Sequence, residues 1–291
     1  MQTRQILLKV FRFLIHSNIF IAFAAVSLAM ATRLQLGLKP QFDISLAIIF
    51  FATIFDYNLH RFVAVYKNQE AKLSEKNRWS IDHRGILKML LMLSISGLIV
   101  SLFFAQTRIL FSLIPLGLLS FLYSIPAPGI RGNSLFFSHI PGIKTLLIAL
   151  VWSAATVLLP LMSGENVFSQ NQILLILAER FTFFFAIALP FDIRDIKSDR
   201  VAGIKTIPIA LGEIKALQIS NLVLILFMAI ASIHYWNNQT PQIIVLFLVT
   251  GTLTIFVINS KKLQSLPLYY HGFLDGCILL FGVLLCLGCL L

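Results

Sequence analysis

Three aspartates with helical spacing are the residues best suited to chemistry in this sequence. Asp192, Asp195 and Asp199 follow the apolar run FTFFFAIALP and are spaced i, i+3 and i+7. On a helix these positions share one face, where three carboxylates repel each other unless a cation lies between them. Hard divalent ions such as Mg²⁺ prefer carboxylate oxygens and commonly bridge them to substrate phosphates. The spacing is therefore compatible with a Mg²⁺ site.

Basic side chains accompany the three aspartates. Arg194, Lys197, Arg200 and Lys205 stand among them or just after them, and such cations bind phosphate oxygens. Because the segment directly follows an apolar run, it would hold a polar head group at the membrane interface while the tail stays in lipid. This pattern fits a lipid diphosphate. The alternative is a solvated loop whose mixed charges only fix the membrane topology.

The composition places these charges in a membrane protein. Of the 291 residues, 58% are hydrophobic and 12% are charged, and the mean hydropathy is +0.89. A soluble domain carries about 25% charged residues, and runs of about 20 apolar residues cross a bilayer as helices. We predict an all-α integral membrane protein, a single domain over residues 1–291 with nine spans at 14–32, 43–60, 86–105, 108–124, 144–162, 172–191, 216–235, 242–259 and 272–291.

Lys and Arg indicate which ends of the predicted spans face the cytoplasm. Nineteen of the 23 fall before the first span or in connections on that same side. Because cytoplasmic connections carry an excess of Lys and Arg, we expect a cytoplasmic N-terminus and a C-terminus on the opposite side. The formal charge of +11 is thus explained by topology and does not indicate a nucleic-acid partner.

One ionisable pair, Glu179 and Arg180, falls inside the sixth predicted span. Such residues mark a functional site or form a neutralised structural pair, and the sequence leaves both interpretations open. Cys286 and Cys289 form a C-x-x-C in the last span, but no second Cys or His pair stands near to complete a zinc site. We interpret the two cysteines as small residues of the helix core.

The aspartate segment resembles a known family motif. The pattern D-x-x-D-x-x-x-D-x-x-x-G-x-x-T, completed by Gly203 and Thr206 and followed by Pro208, resembles the second aspartate-rich motif of the UbiA superfamily of intramembrane prenyltransferases. The segment FLYSIPAPGIRG, with Lys144 and Trp152 downstream, is similar to the fourth connection and fifth helix of that family. The resemblance covers essentially the whole chain.

The resemblance implies nine helices around a cavity that opens toward the cytoplasmic interface, and an enzyme that moves a polyprenyl group from its diphosphate to a hydrophobic acceptor. Mg²⁺ held by two aspartate-rich motifs would bind the diphosphate. Asp192, Asp195 and Asp199 would be metal ligands, and Asp195 and Asp199 would be essential for catalysis. The basic residues expected to bind phosphate are Lys144, Lys197, Arg200 and Lys205. For Lys144, an interfacial anchor is the alternative.

The family's first motif, N-x-x-x-D-x-x-x-D, is altered in this chain. In the matching stretch, ATIFDYNLHRF, Ala52 stands where Asn belongs and His60 where the last Asp belongs. Asp56 remains, and it is expected to help hold a metal and to act in catalysis with His60. The same stretch offers Asn58 and Arg61 to the diphosphate.

His60 lies one helical turn after Asp56, so several roles stay open. It can bind a softer metal, act as a base, pair with phosphate when protonated, or form a structural hydrogen bond with Asp56. Three functions also stay open: a prenyltransferase with one or two metals, a non-catalytic isoprenoid-binding descendant, and a small-solute transporter. We favour the transferase because three acids remain in register, and because we find no internal repeat of the kind transporters show.

Overall fold

The computed structural model describes residues 2–67, 75–124, 140–162, 168–237 and 240–290. From Ile125 onward, the segment FLYSIPAPGIRG lies outside the described residues. The described chain is largely helical, because a helix satisfies its own backbone hydrogen bonds where lipid offers none. Its helices are α1 (Gln2–His16), α2 (Ile19–Gln35), α3 (Ile44–Lys67), α4 (Glu75–Asp82), α5 (Arg84–Phe103), α6 (Thr107–Ser124), α7 (Ile143–Met162), α8 (Gln170–Arg194), α9 (Ile196–Val201), α10 (Ile207–Leu211), α11 (Glu213–Asn237), α12 (Pro241–Asn259), α13 (Lys261–Gln264), a π-helix (Tyr269–Leu274) and α14 (Asp275–Leu290).

Seven helical segments in the described part of the chain are long and apolar enough to cross a bilayer: α3, α5, α7, α8, α11, α12 and the last segment, Tyr269–Leu290. Together α1 and α2 provide an eighth, although they are bent by 73°. The apolar part of α6, Thr107–Ser120, is shorter than a full span. The prediction of an all-α membrane protein is confirmed, while the count of nine spans is not.

The bend between α1 and α2 changes the expected first span, residues 14–32. Asn18 has φ of 63°, a left-handed conformation that interrupts the helix. On the α1 side of the bend, Leu7 and Val10 are exposed beside Lys9. An exposed helix with apolar and basic side chains is typical of a segment that lies on a membrane surface.

Helix α8 is packed between α7 and α11, and α14 packs against α2. Phe183 of α8 contacts Phe281 of α14 and Phe227 of α11, with ring centroids 4.7 Å and 5.2 Å away. Gly282 lets α14 approach α2, because a Cβ at this position would lie 2.8 Å from the backbone nitrogen of Leu28. This core fixes α8, at whose end the aspartate segment begins, against α7 and α11.

Candidate active site

The three aspartates lie where α8 ends. Asp192 belongs to the last turn of α8, and Asp195 occupies the break between α8 and the short helix α9, which contains Asp199. Gly203, with φ of 72°, then turns the chain out of α9, a conformation that glycine adopts without steric cost. The break at Asp195 separates its side chain from the other two carboxylates.

Lys144, at the start of α7, joins Asp192 and Asp199. Its Nζ lies 3.1 Å and 2.9 Å from the two carboxylate oxygens of Asp199 and 3.5 Å from Asp192 Oδ1. Thr145 donates its hydroxyl hydrogen to the other oxygen of Asp192. Asp192 is only 2% exposed and Asp199 only 6%. Two buried carboxylates thus converge on one cation, which agrees with their i, i+7 spacing.

Asp195 has a different partner. Arg194 donates from Nε and Nη2 to the two oxygens of Asp195 at 2.8 Å and 2.9 Å. The guanidinium lies 5.0 Å from the ring centroid of Tyr270, and its Nη1 is 3.4 Å from Nε2 of His271. Tyr270 and His271 belong to the π-helix Tyr269–Leu274, and π-helical turns often occur at functional sites. Sequence reasoning missed both residues, and the polar aromatic stretch LYYHGF was the only signal for them.

The pKa values of Asp195 and Asp199 are shifted in opposite directions. Burial tends to raise the pKa of Asp195, but the hydrogen bonds and the charge of Arg194 outweigh it, so this pKa is lowered. Burial raises the pKa of Asp199, and the charge and hydrogen bond of Lys144 oppose only part of that rise. Asp195 is therefore the stronger acid of the two.

The remaining predicted phosphate ligands lie on the solvent side of this cluster. Lys197, Arg200 and Lys205 are exposed. The carbonyl oxygen of Lys205 accepts a hydrogen bond from the N–H of Gly142 at 3.3 Å, which brings this segment against the start of α7. The next residue, Thr206, is fully buried, and its Oγ1 has no hydrogen-bond partner among the described residues.

Asp56 and His60 form a pair on α3, with 3.5 Å between Asp56 Oδ1 and His60 Nε2. Ser120 of α6 donates to Asp56 Oδ1 at 3.5 Å. Both residues line a mainly apolar cavity of about 580 Å³ between α2, α3, α6 and α7. Ala52, which replaces the asparagine of the resembled motif, lines the same cavity. The three aspartates near α8 are not among its described lining residues.

Three aromatic rings from α3, α7 and α8, here called the aromatic layer, pack on the helices that also carry Asp56, Lys144 and Asp192. Trp152 of α7 contacts Tyr57 of α3 at 6.3 Å and Phe184 of α8 at 4.8 Å between ring centroids. Lys144 precedes Trp152 by eight residues, and Asp192 follows Phe184 by eight, about 12 Å of helix in each case. The aspartate cluster therefore lies about two helical turns beyond the aromatic layer. Asp56, which directly precedes Tyr57, lies at the level of the layer itself.

Arg61 and Asn58, which were expected at the diphosphate, are buried where α1 meets α2. Arg61 donates to the backbone oxygen of His16 and, at 2.8 Å, to Asn18 Oδ1. Asn58 accepts from Asn18 Nδ2 at 3.0 Å and donates to the backbone oxygen of Ser17 at 3.1 Å. These contacts hold the bend at Asn18, and the role of both residues at a diphosphate stays a prediction.

The donor set of the aspartate cluster suits Mg²⁺. Its ligand atoms are carboxylate oxygens, which hard cations prefer, and the ammonium group of Lys144 already occupies a cation position between two of them. In the described parts of the chain, no group of three or more His, Cys, Asp or Glu side chains is arranged to hold a metal ion. An ion bound by two carboxylates would take its other ligands from phosphate or water.

Several solved structures share this fold. The chain is 14% identical to a UbiA homologue from Archaeoglobus fulgidus bound to GPP and Mg²⁺, with 94% of this chain and 99% of that chain covered and a TM-score of 0.60. It is 16% identical to an apo UbiA homologue from Aeropyrum pernix K1, with coverages of 94% and 96% and a TM-score of 0.57. A structure of digeranylgeranylglyceryl phosphate synthase gives 14% identity, coverages of 97% and 98%, and a TM-score of 0.57.

The sequence comparisons give the family. No curated protein matches the chain. The model of the UbiA prenyltransferase family matches residues 78–290, which is more than half of the chain and includes α7, α8 and the aspartate segment. The protein therefore belongs to the UbiA prenyltransferase family.

Proposed function

We propose that this protein is an intramembrane prenyltransferase, which moves a polyprenyl group from its diphosphate to an aromatic or lipid acceptor. The observation that carries the proposal is the convergence of Asp192 and Asp199 on a cation, in the same helical bundle as an apolar cavity lined by Asp56 and His60. A prenyl diphosphate needs cations for its head group and an apolar cavity for its tail. Relatives solved with DMAPP or GPP and Mg²⁺ support the donor class and the metal.

Asp192, Asp195 and Asp199 would hold Mg²⁺, and Asp56 of α3, which lies at the level of the aromatic layer, would help to hold a metal there. When bound, Mg²⁺ neutralises charge that develops on the leaving diphosphate. Lys144 contributes a positive charge inside the cluster and can direct an N–H at a phosphate oxygen. The outer phosphate oxygens would be bound by the exposed basic residues Lys197, Arg200 and Lys205.

The bond between the allylic carbon and the diphosphate oxygen would break, and its electron pair would leave with the diphosphate. Tyr57 and Trp152 present aromatic rings to the cavity, where they stabilise the allylic cation. The acceptor then gives an electron pair to that carbon and loses a proton. The Asp56–His60 pair, with 3.5 Å between Asp56 Oδ1 and His60 Nε2, would take up this proton.

We further propose that the aspartate cluster faces the cytoplasm, together with the N-terminus, and that the C-terminus lies on the other side. The excess of Lys and Arg in the connections of that side supports this orientation. A cysteine introduced at exposed Lys205 of a cysteine-free variant should be protected from an impermeant maleimide in sealed, right-side-out vesicles. Labelling without permeabilisation would contradict the orientation.

A second candidate is an isoprenoid-diphosphate-binding protein that has lost catalysis. Two observations favour it: Ala52 and His60 replace residues of the first motif, and Lys144 already forms ion pairs with Asp192 and Asp199. A protein of this kind would bind the prenyl diphosphate without releasing its diphosphate.

Diphosphate release separates the two candidates. Purified protein in liposomes would be incubated with geranylgeranyl diphosphate and a membrane lipid extract as the acceptor source, with Mg²⁺ or with chelator. The transferase predicts Mg²⁺-dependent diphosphate release together with a prenylated product in the organic phase. Donor binding without release, in lipid extract and with added aromatic acceptors, would favour the binding protein and contradict the enzyme.

A further inference from the structure

A second cavity, with a polar wall, lies at the end of the bundle opposite to the aspartate cluster. It has a volume of about 680 Å³ and lies between residues of α2, α8, α11, α12 and α14. On α8, Asp195 follows Arg180 by 15 residues, which is about 22 Å along a straight helix. This cavity is therefore too far from the aspartate cluster to belong to it.

A cluster of buried ionisable residues lies directly beside this cavity. Glu179 and Arg180 are completely buried, and Glu179 Oε1 lies 2.7 Å from Nδ1 of His234, which is 3% exposed. Gln35 bridges the cluster, because its Oε1 accepts from Arg180 Nη2 at 2.6 Å and its Nε2 donates to the hydroxyl of Tyr235. Ionisable groups inside a membrane protein are costly, and they commonly mark a functional site.

Two polar atoms of the cavity wall have no partner among the described residues. His234 lines the cavity, and its Nε2 is buried without a hydrogen bond. Thr240 also lines the cavity, and its Oγ1 is buried without a hydrogen bond. Buried polar groups are nearly always paired in folded proteins, so both atoms need a hydrogen-bonding partner, which water or a ligand in the cavity would supply.

The chemistry of the wall indicates what that ligand is. Nδ1 of His234 faces the carboxylate of Glu179, so Nε2 is the ring atom left to bind a ligand, and a hydroxyl group can either donate to it or accept from it. The other polar residues of the wall are amides and hydroxyls, which both donate and accept; among them are Asn171, Gln172 and Gln242. No Lys or Arg is among the described lining residues, so a phosphate has no direct counterion there.

We propose that this cavity binds a neutral molecule with several hydroxyl groups. The ligand is either a free sugar or polyol, or the sugar head group of a lipid in the adjacent leaflet. Apolar Leu175 and Ile243 and the ring of Tyr235 offer surface for the carbon face of such a ligand. The volume is that of an ordinary small-molecule site. This inference does not rest on prenyl transfer.

The test uses full-length protein in phosphatidylcholine nanodiscs, prepared without alkyl glucoside or maltoside detergent, since those present the same head group. Native mass spectrometry would compare monoglucosyl diacylglycerol, diacylglycerol and phosphatidylglycerol. Saturation-transfer NMR would detect free methyl β-glucoside. We expect the glucosyl lipid, the free glucoside or both to bind. Binding of the lipid alone identifies a head group as the source, and binding of both admits either source.

The variants Asn171→Leu and Gln242→Leu remove hydrogen-bonding groups at nearly constant volume, and together they should weaken binding about tenfold. His234→Phe should do the same, although it also removes the partner of Glu179. Gln218→Leu is the matched control, because Gln218 is exposed on α11 near the other end. The proposal is overturned if neither sugar probe binds, if phosphatidylglycerol or diacylglycerol binds as tightly, or if the double variant behaves like Gln218→Leu.

Discussion

Replacement of Lys144 by methionine tests the cation site without any assay of turnover. The change keeps most of the aliphatic side chain and removes the ammonium group that lies between Asp192 and Asp199. At an effective dielectric constant of about 20, each close ammonium–carboxylate contact gains roughly 5 kcal/mol before desolvation. Breaking a buried pair by removal of one partner costs about 3–5 kcal/mol. Because Lys144 is 23% exposed, we expect the lower value, about 3 kcal/mol.

A loss of this size should lower the thermal unfolding midpoint by roughly 6–12 °C. The midpoint would be measured in detergent by intrinsic fluorescence, with chelator and with Mg²⁺. In the Lys144→Met variant the two carboxylates have lost their counterion, so Mg²⁺ should raise the midpoint more than it does in the wild type. Lys215→Met, a change at an exposed lysine of α11, is the matched control and should leave both values unchanged.

The loss of stability caused by Lys144→Met should also depend on pH. Burial already raises the pKa of Asp199 with Lys144 present, and loss of the ammonium group removes the main opposing charge. A carboxyl whose folded pKa is raised stabilises the fold while it is protonated, and this contribution is lost as pH rises through the folded pKa. The loss of stability should therefore grow as the pH rises from below the ordinary pKa of aspartate through the raised pKa of Asp199 in the folded variant. An equal midpoint for variant and wild type, or an equal Mg²⁺ response, would refute a cation site between these carboxylates.

Three further changes separate the roles of the cavity, the first motif and the bend. Trp152→Leu should slow diphosphate release about tenfold, as expected for the loss of about 1–2 kcal/mol of cation–π stabilisation, whereas Trp152→Phe should retain most activity; equal rates in both variants would remove Trp152 from the chemistry. Asp56→Asn should raise the Mg²⁺ concentration needed for half-maximal release, and an unchanged Mg²⁺ titration would show that Asp56 is not a ligand. Arg61→Gln should lower stability by about 3 kcal/mol through its lost hydrogen bonds and leave donor affinity within about twofold, measured by unfolding and by donor binding; a large loss of affinity in folded protein would return Arg61 to the diphosphate.

The sequence predicted the parts of the structure that follow from periodicity. Apolar runs indicated the long helices, since a bilayer admits few other folds. Helical spacing placed Asp192 and Asp199 on one face, and the structure joins them through Lys144. The spacing did not predict the break at Asp195. In the structure α8 ends there, and the carboxylate of Asp195 pairs with Arg194.

The pattern of residue types in the sequence could not predict which residues contact each other in the folded protein. Arg61 and Asn58 stand beside the first motif in the sequence, yet their polar atoms bind the backbone and side chains around Asn18. Nothing in the sequence showed that Asn18 adopts a left-handed conformation and bends the chain. In the same way, the sequence left open whether Glu179 and Arg180 form a structural pair or a functional site. Only the structure shows that His234 of α11 contacts Glu179 and that Gln35 of α2 contacts Arg180.

The most direct test of the central claim is Mg²⁺-dependent transfer of radiolabelled prenyl groups from geranylgeranyl diphosphate into extracted lipids. Wild-type protein in liposomes would be compared with Asp199→Asn and with Asp82→Asn, which changes an exposed carboxylate outside the proposed site. We predict transfer by the wild type and by Asp82→Asn, and a loss of at least about 100-fold in Asp199→Asn, because metal and diphosphate lose a ligand. Full transfer by folded Asp199→Asn would contradict the account.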